Sequence, residues 1–201
     1  MIGNVTLKTN TRDKLLLQAE IQFAEKGFYG TSINDVAAEL AISKQGLLHH
    51  FPSKEKLYAA VLQASADYLL EHLQQSRDQG LAPCDRLLKM MTSFSEGGDR
   101  MVRVVSLLMR ELLDNRPRAE VAHQWFLKPV LDELEGVVLA GQEGGEFLSV
   151  HPLAFVYQLL GAIQYFMISQ PTLKQLYSAR RFNDHRKHHL IEIKRLINSA
   201  K

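Results

Sequence analysis

Apolar positions in the first quarter of the chain recur at intervals of three and four residues, which predicts consecutive amphipathic helices. The first helix ends at Gly27, and its apolar face consists of Leu16, Ala19, Phe23 and Ala24. The second is only about two turns long, and its apolar face consists of Ile33, Val36, Ala37 and Leu40. Ser32, with Asp35 three residues later, is suited to cap the second helix. A helix this short needs a partner.

A third helix, which Ser43 can cap, has two different faces. Its Leu47 and Phe51 point inward, and Pro52 stops it. The polar or cationic side chains of the other face are Lys44, Gln45, His49 and His50. Two short helices joined by a tight turn are typical of a helix-turn-helix, because the major groove of B-DNA accommodates one helix held at an angle by its neighbour.

The remainder of the chain is helical in pattern, with no convincing strand. A fourth helix, which Ser53 can cap, runs to about Gly80. Pro83 starts a fifth helix, and a break at residues 97–98 separates it from a sixth. A seventh helix opens at Pro117. The expected fold class is all-α, with three helices followed by a bundle of about six.

Three further features of the C-terminal part are predicted. An internal Pro129 should kink the seventh helix, and Phe147 folds back to the core. The eighth helix spans residues 153–169 before Pro171, and the ninth is capped by residues 183–184. Their long apolar faces, with small residues at 161–162, would meet a second copy in a two-fold dimer.

Composition fits a globular protein of two domains, at residues 9–57 and 58–201. Apolar residues make up 46% of the 201 residues and charged residues 23%, which supplies a core and argues against disorder. No apolar run is expected to span a bilayer, and no secretion signal stands out. The single cysteine, Cys84, agrees with a reducing compartment, so a cytoplasmic location without membrane partners is expected.

The segment GFYGTSINDVAAELAISKQGLLHHFPSKEKL resembles the N-terminal domain of TetR-type transcriptional regulators, over residues 11–57. Its final FPSKEKL motif is among the more specific parts. The resemblance implies a homodimer, formed through the last two long helices, that binds a palindromic double-stranded DNA operator and responds to a small-molecule effector. Most regulators of this family are repressors. Two departures are Leu48, where a tyrosine is common, and Ala41, where a glycine is common.

The resemblance and the helix faces together assign roles in DNA binding. Lys44 and Gln45 are expected to contact base edges, and His49 either a base or a phosphate. Leu48 cannot donate a hydroxyl group to a phosphate, so the histidines take more of that role. The residues expected to position phosphates are Thr31, Ser43, His50 and Lys54.

Charge alone is weak support for DNA binding. The chain has a net charge of +2, and up to Leu57 seven basic residues face six acidic ones. Residues 180–201 carry seven basic and two acidic side chains, so the basic excess is C-terminal. Because phosphate neutralisation supplies most non-specific affinity, two subunits acting together are needed to double the N-terminal cations.

A ligand pocket is expected among helices four to eight. The side chains proposed to line it are Tyr68, Met91, Phe94, Met109, Arg110, Trp125, Phe126, Gln158 and Tyr165. The alternative for each is ordinary core packing. Arg110 or the adjacent Glu111 should face inward and bind a polar group, and the alternative for this pair is a salt bridge between helices.

No enzyme, cofactor or metal site is predicted. No nucleophilic triad, phosphate-binding loop or pair of catalytic carboxylates stands out. His185 with His189 and His188 with Glu192 have the spacing of metal ligands, but the basic residues around them favour a solvated helix face near the dimer seam. The function expected is a ligand-responsive transcriptional repressor. The alternatives are an architectural or chromosome-organising DNA-binding protein, and an all-α enzyme or scaffold that keeps the DNA-binding segment as a relic.

Overall fold

The computed structural model describes residues 10–114, 126–147 and 150–200. These ranges contain nine α-helices and no strand, which confirms the all-α prediction. The expected start of a helix at Pro117, and the pocket residue Trp125, lie outside the described residues. The chain forms two compact units, which we call the head (Met1–Ser65 with Ser106–Arg116) and the body (Ala66–Val105 with Pro117–Lys201).

The head contains three complete helices, α1 (Thr11–Gly30), α2 (Ile33–Glu39) and α3 (Lys44–His50). It also contains the start of α4 (Lys54–Ser76) and the end of α6 (Gly98–Asp114), both of which contribute residues to each unit. The core of the head includes Leu15, Ala19, Phe23, Val36, Ala37, Leu47, Phe51 and Leu57. The short α2 and α3 are therefore held by packing rather than by helix propensity.

Side-chain caps start the head helices where the sequence predicts them. The Ser32 hydroxyl accepts a hydrogen bond from the Asn34 N–H, 3.1 Å away. The Ser43 hydroxyl accepts one from Gly46, also at 3.1 Å, and the Ser53 hydroxyl accepts one from Lys56 at 3.2 Å. Each cap satisfies a backbone N–H that has no partner inside its helix.

The sequence predicts that α1 ends at Gly27, but in the structure the helix kinks at this residue and continues. Gly27 has φ 72° and ψ 177°, and one further turn continues to Gly30. A left-handed φ is readily adopted only by glycine, so the pattern identified the correct residue. It did not reveal the extra turn, because the chain resumes helical geometry immediately after a single residue.

The turn between α2 and α3 is closed by two backbone hydrogen bonds. The Ile42 N–H donates to the Ala37 carbonyl and the Ala41 N–H to the Ala38 carbonyl, both over 3.0 Å. This pattern is a Schellman motif, and Ala41 occupies its left-handed position with φ 53°. The Cβ of an alanine is sterically unfavourable in that conformation. This explains why glycine is common at this position of the turn.

The body is built from α5 (Pro83–Ser95), α7 (Lys128–Glu143), α8 (Pro152–Leu176) and α9 (Ala179–Ser199), with parts of α4 and α6. Helix α5 packs against α7, α8 and α9, and α8 packs against α7 and α9. Phe147 is buried, as predicted. A Cβ added at Gly141 would lie 2.3 Å from the Phe147 ring, so only glycine permits this close packing.

Several predicted boundaries in the body are wrong. Pro129 does not kink α7 but lies in its first turn, where a proline loses no helical hydrogen bond. Pro171 does not end α8, which continues to Leu176, and in this last part the Lys174 ammonium lies 5.3 Å from the centre of the Phe182 ring on α9. Helix α9 starts earlier than expected, capped by the Ser178 hydroxyl. Helix α4 also ends earlier, at Ser76 rather than near Gly80.

Helix α8 also corrects the expectation about membrane spans. By length and composition alone it is apolar enough to cross a bilayer. One face of the helix, however, buries Phe155, Leu159 and Ile163 in the core of the body. A core helix of a globular unit meets the same test of length and composition, so the finding is weak support for a membrane span.

Candidate DNA-binding surface

The outer face of α3 carries the side chains that the sequence assigns to DNA. Lys44, Gln45 and His49 are exposed, and His50 is half-buried beside His49, with 5.6 Å between ring centres. Leu47, which lies opposite Gln45 and His49 on the helix, is fully buried. The face is therefore open to a ligand, while the helix behind it is anchored to the core of the head.

Two contacts fix the ends of α3. At its start, a Cβ added at Gly46 would come within 2.8 Å of the Ile42 side chain, so a glycine lets the turn approach the helix closely. At its end, the Arg12 guanidinium lies over the Phe51 ring, 5.1 Å from the ring centre. Neither contact was identified from the sequence, because each depends on a residue whose partner is known only from the fold.

Thr31 and Ser43 are both engaged inside the head. Thr31 is buried, and its hydroxyl lies 2.8 Å from the Gly27 carbonyl oxygen and 3.1 Å from that of Gln22, toward which it donates. Its hydroxyl therefore caps the kink of α1, and the phosphate contact expected of Thr31 stays a prediction without support from this geometry. The exposed Ser43 hydroxyl accepts from a backbone N–H and still has its own hydrogen to donate.

Lys54, at the start of α4, lies over the Phe28 ring with its ammonium 4.5 Å from the ring centre. The adjacent Glu55 is fully exposed, and its pKa is lowered chiefly because its carboxylate accepts a hydrogen bond from Ser53. Glu55 therefore stays charged and offsets part of the Lys54 charge. This pairing of opposite charges agrees with the near balance of seven basic and six acidic residues up to Leu57.

The last turns of α6 bind two other helices of the head through adjacent residues. Arg110 donates to the Glu25 carbonyl over 3.4 Å, near the end of the straight part of α1. A cation is favourable at a helix C-terminus, where carbonyl groups lack partners. Glu111 is buried and accepts a hydrogen bond of 2.8 Å from the Tyr58 hydroxyl on α4. One of the two thus faces inward, as predicted, and its partner Tyr58 was missed.

The residues proposed to line a ligand pocket have different environments in the described structure, and their role in a pocket stays a prediction. Met91 and Phe94 are buried in the body. Tyr68 is half-buried under the Arg100 guanidinium, and Phe126 is half-buried. Gln158 and Tyr165 are exposed on α8, and Met109 and Arg110 belong to the head.

An exposed stripe runs along one face of α8. Its members, spaced three or four residues apart or by multiples of these intervals, are Ala154, Tyr157, Gln158, Gly161, Tyr165 and Thr172. Tyr157 is 52% exposed and Tyr165 is 73% exposed. A Cβ added at Gly161 would meet no atom of the described residues within 4 Å, so no contact among them requires a glycine there.

Two histidines of α9 enclose a phenylalanine of α8. The His189 ring stacks on Phe166 with 4.4 Å between ring centres, and His185 meets the same ring edge-on at 5.3 Å. Burial lowers the pKa of His189, and the nearby His185 lowers it further. Among the described residues, no group of three or more His, Cys, Asp or Glu side chains is placed to hold a metal ion.

Comparison with known proteins gives a consistent result. Residues 15–61 match the model of the family described as bacterial regulatory proteins, tetR family. Over 178 residues the chain is 25% identical to the HTH-type transcriptional regulator RutR of Escherichia coli K12, covering 88% of this chain and 84% of RutR. It is 36% identical to the repressor KstR2 of Mycolicibacterium smegmatis over 95 residues, 47% of this chain and 46% of KstR2.

Solved structures show the same fold. A tetR-family regulatory protein from Rhodococcus RHA1 superposes with a TM-score of 0.74 at 19% identity, covering 94% of this chain and 98% of that one. AibR, solved in complex with isovaleryl coenzyme A and operator DNA, gives a TM-score of 0.63 at 25% identity, covering 78% of this chain and 85% of AibR.

Proposed function

The chain belongs to the TetR family of bacterial regulatory proteins, and on that premise we propose that it is a cytoplasmic, ligand-responsive repressor that binds a palindromic operator as a homodimer. The observation that carries the proposal is the outer face of α3, where Lys44, Gln45 and His49 are exposed on a helix whose other face is buried. Lysine can bond the acceptor atoms of guanine, and glutamine can bond adenine through two hydrogen bonds.

The exposed stripe of α8 supports the dimer. Two large aromatic side chains on either side of a glycine offer a self-complementary face, since a helix from a second copy can approach closely at Gly161. A dimer would also compensate for the small net positive charge of a single head. Two recognition helices, one helical turn of DNA apart, double the number of cations and read two half-sites.

The connection between effector and DNA runs, in this proposal, along α4 and α6. Both helices contribute residues to the body and to the head. In the head, the end of α6 is bound to α1 through Arg110 and to α4 through Glu111. A displacement of α6 by an effector would therefore act on both helices, and any effector with different affinities for the two positions shifts the equilibrium.

The effector is proposed to be a small organic molecule that binds the body. The AibR complex, which contains both isovaleryl coenzyme A and operator DNA, supports the combination of effector and operator in one protein of this fold. Met91 and Phe94 pack in the core of the body. An apolar effector that displaced these side chains would shift the helices packed against them, because the core is densely packed.

Selection of bound sequences from a random duplex library tests the proposal directly. The purified protein should enrich a palindrome whose half-sites lie one helical turn apart, at 10–10.5 base pairs or a multiple of that spacing. Enrichment of sequences without two-fold symmetry would contradict the dimeric reader. Binding of all duplexes with equal affinity would favour an architectural DNA-binding protein instead.

A further inference from the structure

The corner between α1 and α2 exposes a large aromatic side chain. Tyr29 lies in the single turn of α1 that follows the kink at Gly27, and 85% of its surface is exposed. Its neighbours Phe23, Phe28 and Tyr58 form a packed aromatic cluster, in which Phe23 and Tyr58 meet edge to face at 4.8 Å between ring centres. Tyr29 is the member of this group that projects to solvent.

Tyr29 and Lys54 contact the same ring. The Tyr29 ring meets Phe28 at a 5.4 Å centre-to-centre distance and an angle of 85°, and the Lys54 ammonium lies 4.5 Å from the centre of Phe28. Tyr29 and Lys54 therefore both pack on Phe28 at one corner of the head. Lys26, also exposed, lies three residues before Tyr29 on the chain.

These groups have the chemistry of a phosphate contact. A phenol O–H and an ammonium both donate hydrogen bonds, and tyrosine and lysine are among the side chains that bind the DNA backbone. Of the other hydroxyl groups at this corner, that of Thr31 is engaged by carbonyl groups inside the head, and that of Ser32 caps α2. At position 48 the chain has leucine, which has no hydroxyl group.

From this geometry we infer that Tyr29 donates a hydrogen bond to a DNA backbone phosphate, beside the ion pair of Lys54 with the same strand. The inference rests on the proposed function, because it assigns a contact within the same DNA-binding surface. It replaces the contact expected from the Thr31 hydroxyl. A backbone contact adds affinity for every sequence equally and carries no sequence preference.

The test measures the affinity of Tyr29→Phe for two duplexes, one of random sequence and one enriched from a library by the wild-type protein. Loss of the single hydroxyl should weaken binding to both by the same factor, about five- to ten-fold. Lys54→Gln should weaken both as well and reduce the slope of log affinity against log salt by about one. Tyr177→Phe, which removes a hydroxyl from a partly exposed tyrosine of the body, is the matched control and should bind as wild type.

The outcomes separate this contact from the proposed function. Wild-type affinity in Tyr29→Phe, with unchanged helicity and melting temperature, would overturn the contact while leaving the regulator intact. A loss confined to the enriched duplex would also overturn it, because it would make Tyr29 a base reader. If the wild-type protein binds neither duplex at low salt, the proposed function fails, and the contact fails with it.

Discussion

The Tyr58 hydroxyl on α4 donates a hydrogen bond of 2.8 Å to the buried carboxylate of Glu111 on α6, 53 residues away in the chain. A buried carboxylate is costly unless polar groups surround it, so this bond helps to hold the end of α6 in the head. The adjacent Arg110 binds the end of the straight part of α1. The two neighbours thus connect α6 with two different helices.

Tyr58→Phe should lower the free energy of unfolding by about 1–3 kcal/mol, because it removes a donor from a buried carboxylate. Urea denaturation followed by circular dichroism measures the change. Glu111→Gln keeps an oxygen that can accept from Tyr58 and should cost less than Tyr58→Phe. An equal or larger loss in Glu111→Gln would show that this hydrogen bond is not the main contribution of the carboxylate.

Ala41→Gly should raise the free energy of unfolding by about 0.5–1 kcal/mol. Ala41 has φ 53°, and glycine adopts this conformation without the clash that a Cβ suffers. The control is Ala38→Gly, at a helical position of α2, which should lower stability by about 1 kcal/mol. Destabilisation by both changes would mean that the entropy of glycine outweighs the relief of strain in the turn.

The sequence predicted most of the head and less of the body, for identifiable physical reasons. The caps at Ser32, Ser43 and Ser53 are local, since each involves a side chain and an N–H two or three residues away. The continuation of α8 past Pro171 was missed, because a proline usually ends or kinks a helix whereas here it lies inside one. Local rules succeed where local hydrogen bonds decide the structure.

The candidate site shows the same division. Exposure of Gln45 follows from helical periodicity, which places it about 160° around the helix from Leu47. Lys44 is only three residues before Leu47 and is exposed at the first position of α3. The engagement of the Thr31 hydroxyl by the kink of α1 could not be predicted, because it requires the carbonyl of Gln22 nine residues earlier to be near. The exposure of Tyr165 on α8 likewise depends on which face of the helix the body covers.

Tyr165→Glu should dissociate the proposed dimer into monomers, because two like charges would be brought into an apolar interface. Tyr165 is 73% exposed within one chain, so the monomer should keep its helicity. Sedimentation velocity measures the assembly. Leu139→Glu, at a half-exposed apolar position of α7, is the control and should remain dimeric. A dimeric Tyr165→Glu would place the interface elsewhere.

The free energy of unfolding should decrease as the pH falls below 6.5, in part because of the protonation of His189. Its pKa in the folded chain is lowered from 6.5 by burial and by His185. The unfolded chain therefore takes up a proton on this histidine at a higher pH than the folded chain does. The stability that neutral His189 contributes is fully present above pH 6.5 and is lost as the pH falls from 6.5 through the lowered pKa of the folded chain.

Melting temperatures across this range provide the measurement. His189→Gln should flatten the acid limb of the profile relative to wild type. An acid limb of wild-type steepness in His189→Gln would exclude this histidine as its source.

The most direct test of sequence-specific DNA reading compares Lys44→Ala/Gln45→Ala with Lys174→Ala/Gln175→Ala. Both double variants remove an exposed Lys-Gln pair, one from α3 and one from α8. The measurement is the ratio of affinities for the enriched palindrome and a random duplex. The α3 variant should lose at least about thirty-fold of this preference with its fold intact, since each base contact contributes about 1–3 kcal/mol. The α8 variant should keep the preference. Wild-type preference in a folded α3 variant would contradict the central claim.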